Sequence, residues 1–209
     1  MIKTKKLRIY LDQDGVLADT QTEILKRYNQ EYGLNFTLDD IYCWDLNKIQ
    51  KKGTDMTKYF KAEGFFNSLE PIEGAKEIVK LLAEIIGDEV IIATVSPKEG
   101  EKDKRIWLKN HFPFISRENI LMVDDKSHLI GDILVDDGLH NLENSMCEFP
   151  IVFDQPWNRS TDKYIRVYDW LDLYEVIQQI RLGQSYEEIY AERKKRGIKQ
   201  WGRKSYCFQ

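Results

Sequence analysis

The 209-residue chain has few cysteines and no apolar run long enough to cross a membrane. Its three cysteines, Cys43, Cys147 and Cys207, are far apart and form no C-x-x-C pair, which argues against a disulfide framework and a zinc site. The basic start, residues 1–6, leads directly into a short strand-like segment and not into the apolar stretch of a secretory signal. These absences predict a soluble protein of the reducing cytoplasm.

The chain also lacks an excess of positive charge. Its formal net charge is -4 at pH 7, which argues against a general nucleic-acid binder and favours small-molecule partners. An apolar content of 42% is enough for one core domain of this length with a modest insertion. The composition therefore predicts a compact domain with a site for a small ligand.

The most informative stretch lies near the amino terminus, where an apolar segment ends abruptly in two carboxylates. Residues 7–11 form a run of strand length, followed by Asp12, Asp14 and then Gly15, which predicts a strand, a tight turn and a helix. A carboxylate pair at the carboxyl end of a buried strand attracts a hard divalent cation, and one acid can attack phosphorus while the other moves a proton. An aspartate after a strand can also be a simple helix cap. The residues that follow the other predicted strands distinguish a functional role from a capping role.

Polar side chains also follow three later apolar segments that predict strands. They are Thr94 and Ser96 after residues 89–93, Lys126 after 119–123, and Asp136 and Asp137 after 133–135. A hydroxyl at a strand end can donate a hydrogen bond to a phosphate oxygen, and a lysine beside acids can hold phosphate and nucleophile together. Adjacent carboxylates repel each other unless a cation lies between them, and Mg²⁺ is the simplest candidate.

The segment between the first and second strands has helical spacing and no strand signal. Helices are predicted at residues 20–32, 38–49 and 54–62, which suggests a small helical cap inserted after strand one. Further strands are predicted at 151–153 and 165–167, and a closing helix at 170–180. The predicted organisation is a core of residues 1–19 and 69–181, a cap of residues 20–68, and a basic tail of residues 182–209, expected to be a solvated helix.

The string DQDGVLAD at residues 12–19 resembles the first motif of the haloacid dehalogenase-like (HAD) phosphohydrolases, and the later strand ends match the other three motifs in order. More specifically, residues 7–158 resemble the 5'(3')-deoxyribonucleotidases. The most specific strings are residues 64–75, residues 90–97, Lys104 with Trp107, and residues 125–137. The resemblance implies an α/β fold, with a Rossmann-like HAD core in which helices flank a parallel sheet.

The resemblance also implies the chemistry of the first and last motifs. Asp12 is expected to be the nucleophile and Asp14 the general acid and base. Mg²⁺ is expected to be held by Asp12, Asp136 and the backbone carbonyl of Asp14, with Asp137 orienting the metal shell or a bound water. The substrate implied is a deoxynucleoside monophosphate.

For the substrate phosphate, the resemblance implies contacts from Thr94 and Lys126. The second motif reads Thr-Val-Ser-Pro here, where the family typically has Thr-Ser-Pro, so Thr94 and Ser96 both stay candidates. Gly138 stands where animal members often have arginine. Phe60 and, as the weaker match, Trp44 are the candidates for stacking on the base.

Two other readings of the same residues stay open. One is a HAD phosphatase for another phosphomonoester, such as a sugar phosphate or a polynucleotide 3'-phosphate end, which the basic tail would favour. The other is a non-catalytic nucleotide-binding module, although neither a motif carboxylate nor the lysine is missing. The family resemblance permits a homodimer.

Overall fold

The computed structural model describes residues 5–204, with side chains up to residue 195. Cys207 and the two ends of the chain lie outside the described residues, as do the side chains of the predicted basic tail from position 196 onward.

Six parallel strands form the single sheet of the described chain. They are β1 (Arg8–Leu11), β2 (Glu89–Thr94), β3 (Ile120–Met122), β4 (Ile133–Asp136), β5 (Phe149–Phe153) and β6 (Ile165–Val167). Their order in the sheet is β3-β2-β1-β4-β5-β6, so the first strand is central. Ile9 pairs with Val90 on one side and Ile133 on the other. All strands were predicted within two residues of these bounds, and the α/β fold class is confirmed.

The sheet is buried on both faces, which is why its strands appear in the sequence as continuous apolar runs. Ile9 and Leu11 point to the larger hydrophobic cluster, whereas Tyr10 between them points to a smaller cluster on the opposite face. In β4, Ile133 and Leu134 divide between the two clusters in the same way. Because successive side chains of a strand point to opposite faces of the sheet, their position in the strand determines which of the two clusters they join.

Helices cover the sheet and join its strands. They are α1 (Thr20–Tyr32), α2 (Ala75–Lys80, extended by a π-helical turn, Leu81–Ile86), α3 (Lys98–His111), α4 (Leu139–Glu143), α5 (Trp170–Arg181) and α6 (Tyr186–Lys204). The predicted bounds of α1 are confirmed: the Asp19 side chain accepts from the Thr22 N–H at its start, and Gly33 ends it with φ 62°. Helix α3 begins directly after Pro97.

The segment from residue 33 to 68 differs from the prediction. It contains no strand, as expected, but the helices predicted at 38–49 and 54–62 are wrong. The segment has short 3₁₀ helices instead, at Leu38–Asp40, Leu46–Lys48, Thr57–Lys61 and Phe66–Ser68. Aspartate side chains compete with the helical ladder: Asp45 accepts from the backbone of Asn47, and Asp55 from that of Thr57.

The first half of α6 packs on the core, although the sequence predicted a solvated tail. Ile189 is fully buried, and the Arg193 guanidinium pairs with Asp172 of α5 and donates to the carbonyl of Arg166 in β6. Helix α6 therefore closes the β6 edge of the sheet. Among residues 5–204, no helix is both long enough and apolar enough to span a membrane.

Candidate active site

The carboxyl ends of four neighbouring strands, β3, β2, β1 and β4, bring the predicted polar residues together. Asp12 directly follows β1, Thr94 and Asp136 are the last residues of β2 and β4, and Lys126 lies four residues beyond β3. All four residues are buried. The chain leaves β1 between β2 and β4, and the crevice outside such a switch point is where doubly wound sheets bind ligands.

Lys126 holds two of the acids. Its Nζ lies 2.6 Å from Asp12 Oδ1 and 2.5 Å from Asp136 Oδ2, and it is 1% exposed. Burial favours the neutral amine, but the two carboxylates outweigh it and raise the pKa of Lys126 above its ordinary value. The lysine is therefore a permanent cation within the site.

A third buried carboxylate completes an acidic cluster. Oxygen atoms of Asp12, Asp136 and Asp137 all lie within 4.8 Å of one another. Burial, with the negative charge of Asp136, raises the pKa of Asp12 to about 7 and that of Asp137 well above its ordinary value. One lysine thus faces three acids, and a second cation is needed to keep all three ionised.

The donor set fits a hard metal ion. Asp137 Oδ1 is buried and has no hydrogen-bond partner, while Oδ2 accepts from Trp157 Nε1 at 3.0 Å. An unpartnered buried carboxylate oxygen is costly, and metal coordination removes that cost. Asp12, Asp136 and Asp137 are the residues whose carboxylates can hold such an ion here.

Neighbouring groups fix the orientation of these acids. Asp136 Oδ1 accepts from the Gly138 N–H at 2.8 Å and from Asn141 Nδ2 at 3.1 Å. Gly15 has φ 72°, and a Cβ placed there would lie 2.5 Å from Asp137 Oδ2. Glycine is thus required at position 15 both for the turn and for the close approach of Asp137.

The Asp14 carboxylate lies apart from this cluster and has its own partners. Its Oδ1 accepts from Thr20 Oγ1 at 2.7 Å, and its Oδ2 accepts from the ammonium of Lys104. Its side chain is 25% exposed, compared with 9% for Asp12. The two acids of the first motif therefore have different environments.

The two candidate hydroxyls of the second motif also differ in their surroundings. Thr94 Oγ1 is buried and accepts from Lys104 Nζ at 2.9 Å. Ser96 Oγ lies 2.9 Å from the neighbouring carbonyl of Pro97, to which it donates. Only Thr94 of the two shares a hydrogen-bonded partner with Asp14.

The two candidate base-stacking residues lie at different places along the segment that precedes β2. Trp44 is 53% exposed, and its ring meets those of His140 at 5.3 Å and Trp157 at 6.5 Å, between centroids. Phe60 is partly buried against Phe66 at 6.2 Å. Trp44 therefore neighbours the Asp137 side of the site, whereas Phe60 packs within the segment.

Four residues with direct contacts to the acids received no site role from sequence reasoning. They are Thr20, Lys104, Asn141 and Trp157. For Lys104 a signal was present: it shares a helical face with Gly100, Trp107 and Leu108, and a lysine on an apolar face is buried only when it has a partner. For the other three the sequence carried no comparable signal.

The fold has solved counterparts. One is a haloacid dehalogenase-like protein of unknown function from Agrobacterium tumefaciens, with a TM-score of 0.58 and 15% sequence identity; the superposition covers 84% of this chain and 99% of that protein. Another is a haloacid dehalogenase-like hydrolase from Burkholderia xenovorans, with a TM-score of 0.50 and 15% identity; the superposition covers 84% of this chain and 98% of that protein. The fold is that of the HAD-like proteins, a class that the strand-end acids and lysine also indicate.

Sequence comparison gives the family within this class. A 5'(3')-deoxyribonucleotidase of Bacillus subtilis is 32% identical over 165 residues, which is 79% of this chain and 95% of the relative. One of Clostridium acetobutylicum is 31% identical over 173 residues, 82% of this chain and 94% of the relative. The family model of the cytosolic type C 5' nucleotidases, deoxy (pyrimidine), matches residues 5–183. The chain belongs to this family and is a HAD-type phosphatase.

Proposed function

We propose that the protein is a magnesium-dependent phosphomonoesterase that removes phosphate from deoxynucleoside monophosphates through an aspartyl-phosphate intermediate. The observation that carries this proposal is the Asp12 carboxylate, which is buried at the end of β1 and held at 2.6 Å by Lys126. A carboxylate beside a permanent cation can attack a phosphate dianion that would otherwise repel it. The deoxyribonucleotidase relatives support the choice of substrate.

In the first step, an oxygen of Asp12 attacks phosphorus and the bond to the nucleoside oxygen breaks. Asp14 gives its proton to that oxygen, so that the nucleoside leaves as a neutral alcohol. In the second step, Asp14 takes a proton from water, which attacks the phosphorus and releases Asp12 and inorganic phosphate. Lys126 and Thr94 stabilise the phosphoryl oxygens in both steps, and electrostatic stabilisation of this kind is the main source of rate acceleration in phosphoryl transfer.

Asp12, Asp136 and the Asp14 carbonyl would hold Mg²⁺, and Asp137 would orient the groups around the ion. When bound, the ion offsets negative charge on the phosphoryl oxygens. Support for this assignment comes from the three buried acids and the unpartnered Asp137 Oδ1. Trp157 would keep Asp137 oriented toward the ion, and Asn141 would do the same for Asp136.

We also propose that residues 20–68 act as a cap that carries the base-binding side chains. This segment meets the core on two sides of the acids, through Trp44 against His140 and through Phe66 over the Lys104 ammonium. A base can stack on the half-exposed Trp44, whereas the environment of Phe60 is already filled by its neighbours. Action in the cytoplasm and a homodimeric state stay predictions from the sequence.

Magnesium is expected to stabilise the protein, and more so at higher pH. The pKa of Asp12 in the folded chain is about 7, above its ordinary value, so without metal its contribution to stability is lost as pH rises from about 4 through about 7. Metal binding reverses this because it needs the ionised carboxylates. At a Mg²⁺ concentration one hundred times the dissociation constant, the melting temperature should rise by about 5–10 °C.

Thermal melts at pH 6 and pH 8, in chelator and in excess Mg²⁺, measure this effect. The rise should be larger at pH 8 and should disappear in Asp136→Asn, whereas Asp124→Asn, at an exposed position outside the acidic cluster, should behave as the wild type. An equal rise in Asp136→Asn would show that the ion binds elsewhere.

Phosphate release from ribo- and deoxyribonucleoside 5'- and 3'-monophosphates, with Mg²⁺ and with chelator, tests the function itself. We expect magnesium-dependent release concentrated on the deoxynucleotides, and none with Asp12→Asn. Release only from sugar phosphates or from 3'-phosphorylated oligonucleotides would keep the chemistry and reject the substrate. If the protein bound nucleotides but released no phosphate, the non-catalytic nucleotide-binding module would be the function that remains.

A further inference from the structure

Lys104 is a buried lysine outside the four HAD motifs, and all of its hydrogen-bonding capacity is used at the site. Its side chain is 1% exposed. An ammonium has three donors, and here each has an acceptor: Asp14 Oδ2, Thr94 Oγ1 at 2.9 Å and the Val95 carbonyl at 2.6 Å. Removing such a group from water is costly unless every donor is paired, so this geometry tightly constrains the ammonium.

The contact makes the two oxygens of Asp14 chemically unequal. Oδ2 faces an ammonium, which can only donate, so a proton on Oδ2 would lose that bond. Oδ1 faces the hydroxyl of Thr20 at 2.7 Å, and a hydroxyl can either donate or accept. A proton on Asp14 is therefore placed on Oδ1, where the Thr20 hydroxyl can accept it until substrate binds.

The same lysine also orients Thr94. Because Thr94 Oγ1 accepts from the Lys104 ammonium, the hydroxyl hydrogen must point away from it. In the structure the hydroxyl donates to the Val95 carbonyl at 3.3 Å, and it can turn from that long contact to a phosphate oxygen when substrate binds. One buried cation thus contacts both the proton donor and a candidate phosphate ligand.

Helix α3 and the segment 20–68 hold Lys104 in place. The Phe66 ring lies 4.7 Å from the ammonium, measured to the ring centroid. A Cβ at Gly100, one turn before Lys104, would lie 2.4 Å from that ring, so the glycine is what admits the Phe66 ring. The ammonium therefore lies between its three acceptors, of which Asp14 is the only acid, and the ring of Phe66.

The geometry points to Lys104 as a positioning residue for proton transfer: it fixes Asp14 so that Oδ1 delivers the proton to the leaving oxygen, and it keeps the hydrogen of the Thr94 hydroxyl on the side away from the ammonium. This inference rests on the proposed phosphatase mechanism. It predicts a loss that depends on the leaving group, because a good leaving group departs without a proton and a poor one does not.

The test compares 4-nitrophenyl phosphate, which has a good leaving group, with phenyl phosphate, which has a poor one. The quantity measured is the ratio of their kcat/KM values, which reports on steps up to and including cleavage of the ester. In Lys104→Met this ratio should rise at least about tenfold over that of the wild type, since general acid catalysis contributes about 10²–10⁴-fold. Both esters are measured on one sample, so the fraction of inactive protein cancels.

Matched variants separate positioning from a structural effect. Lys102→Met removes an exposed lysine of the same helix that forms no ion pair among the described residues, and its ratio should equal that of the wild type. Asp14→Asn should show a raised ratio, and Lys104→Met should raise it no further in that background, because the two residues act as one unit. Lys104→Gln, which keeps a donor, serves if Lys104→Met does not fold.

An equal loss on both esters in the folded Lys104 variants, or no loss, overturns the inference. Because the ratio needs no nucleotide, an unexpected outcome in the nucleotide panel leaves this test intact. A wild type inactive on nucleotides but with the expected ratio would reject the substrate and keep the role of Lys104. A wild type inactive on both esters and on the nucleotides would reject the phosphatase mechanism together with this inference.

Discussion

Replacing Asp12 with asparagine is expected to reduce turnover to less than about one thousandth of the wild-type rate, because an amide cannot form the aspartyl-phosphate. The fold should survive. Asparagine is close in shape, its oxygen can still accept from Lys126, and Asp136 continues to pair with that lysine. Since burial raises the pKa of Asp12 and so disfavours its charged form, the variant should melt no lower than the wild type in chelator.

Steady-state rates, thermal melts and acid quenching with labelled substrate check this expectation. The wild type should retain labelled phosphate on the protein after the quench, and Asp12→Asn should not. Asp124→Asn, at an exposed position after β3, is the matched control and should retain both activity and label. Near-normal turnover by Asp12→Asn would assign the nucleophile to another residue.

The sheet and the placement of the motif residues were predictable because a parallel sheet is buried on both faces. Each strand then reads as a short apolar run, and the first polar residue after it must lie at the carboxyl edge. Asp12, Thr94 and Asp136 follow this rule directly. The same rule says nothing about which of these side chains touch, because their contacts depend on loops and helices that differ in length.

The contacts that define the site join residues far apart in sequence. Lys104 and Asp14 are 90 positions apart, and Lys126 and Asp12 are 114 apart. Helical periodicity over residues 38–62 was equally insufficient, since it does not weigh the local hydrogen bonds that Asp45 and Asp55 accept at the starts of two short 3₁₀ helices. Sequence patterns thus located the chemistry, while tertiary packing determined the partners of each acid.

Lys126→Met is expected to have the largest effect on stability. The lysine is the only cation within 4 Å of Asp12 or Asp136 among the described residues. Removing one partner of a buried ion pair costs about 3–5 kcal/mol because the remaining charge is uncompensated. For a chain of this size that corresponds to a melting temperature lower by roughly 6–20 °C. Activity should also fall by at least about 100-fold, since the phosphoryl oxygens lose a stabilising cation.

The dependence on pH and on Mg²⁺ shows why Lys126→Met loses stability. Burial raises the pKa of Asp12 to about 7, and protonation of this carboxylate removes part of the uncompensated charge, so the destabilisation of Lys126→Met in chelator should be smaller at pH 5 than at pH 8. Mg²⁺ at pH 8 should raise the melting temperature of this variant more than that of the wild type, because the ion then replaces the missing cation.

The double variant of Lys126→Met and Asp136→Asn should lose less stability than the sum of the losses of the two single variants. Lys98→Met, at an exposed position without an ion pair among the described residues, should change none of these quantities. A loss independent of pH and Mg²⁺ would mean that Lys126 stabilises the fold by packing, and that the three acids do not form one electrostatic unit with it.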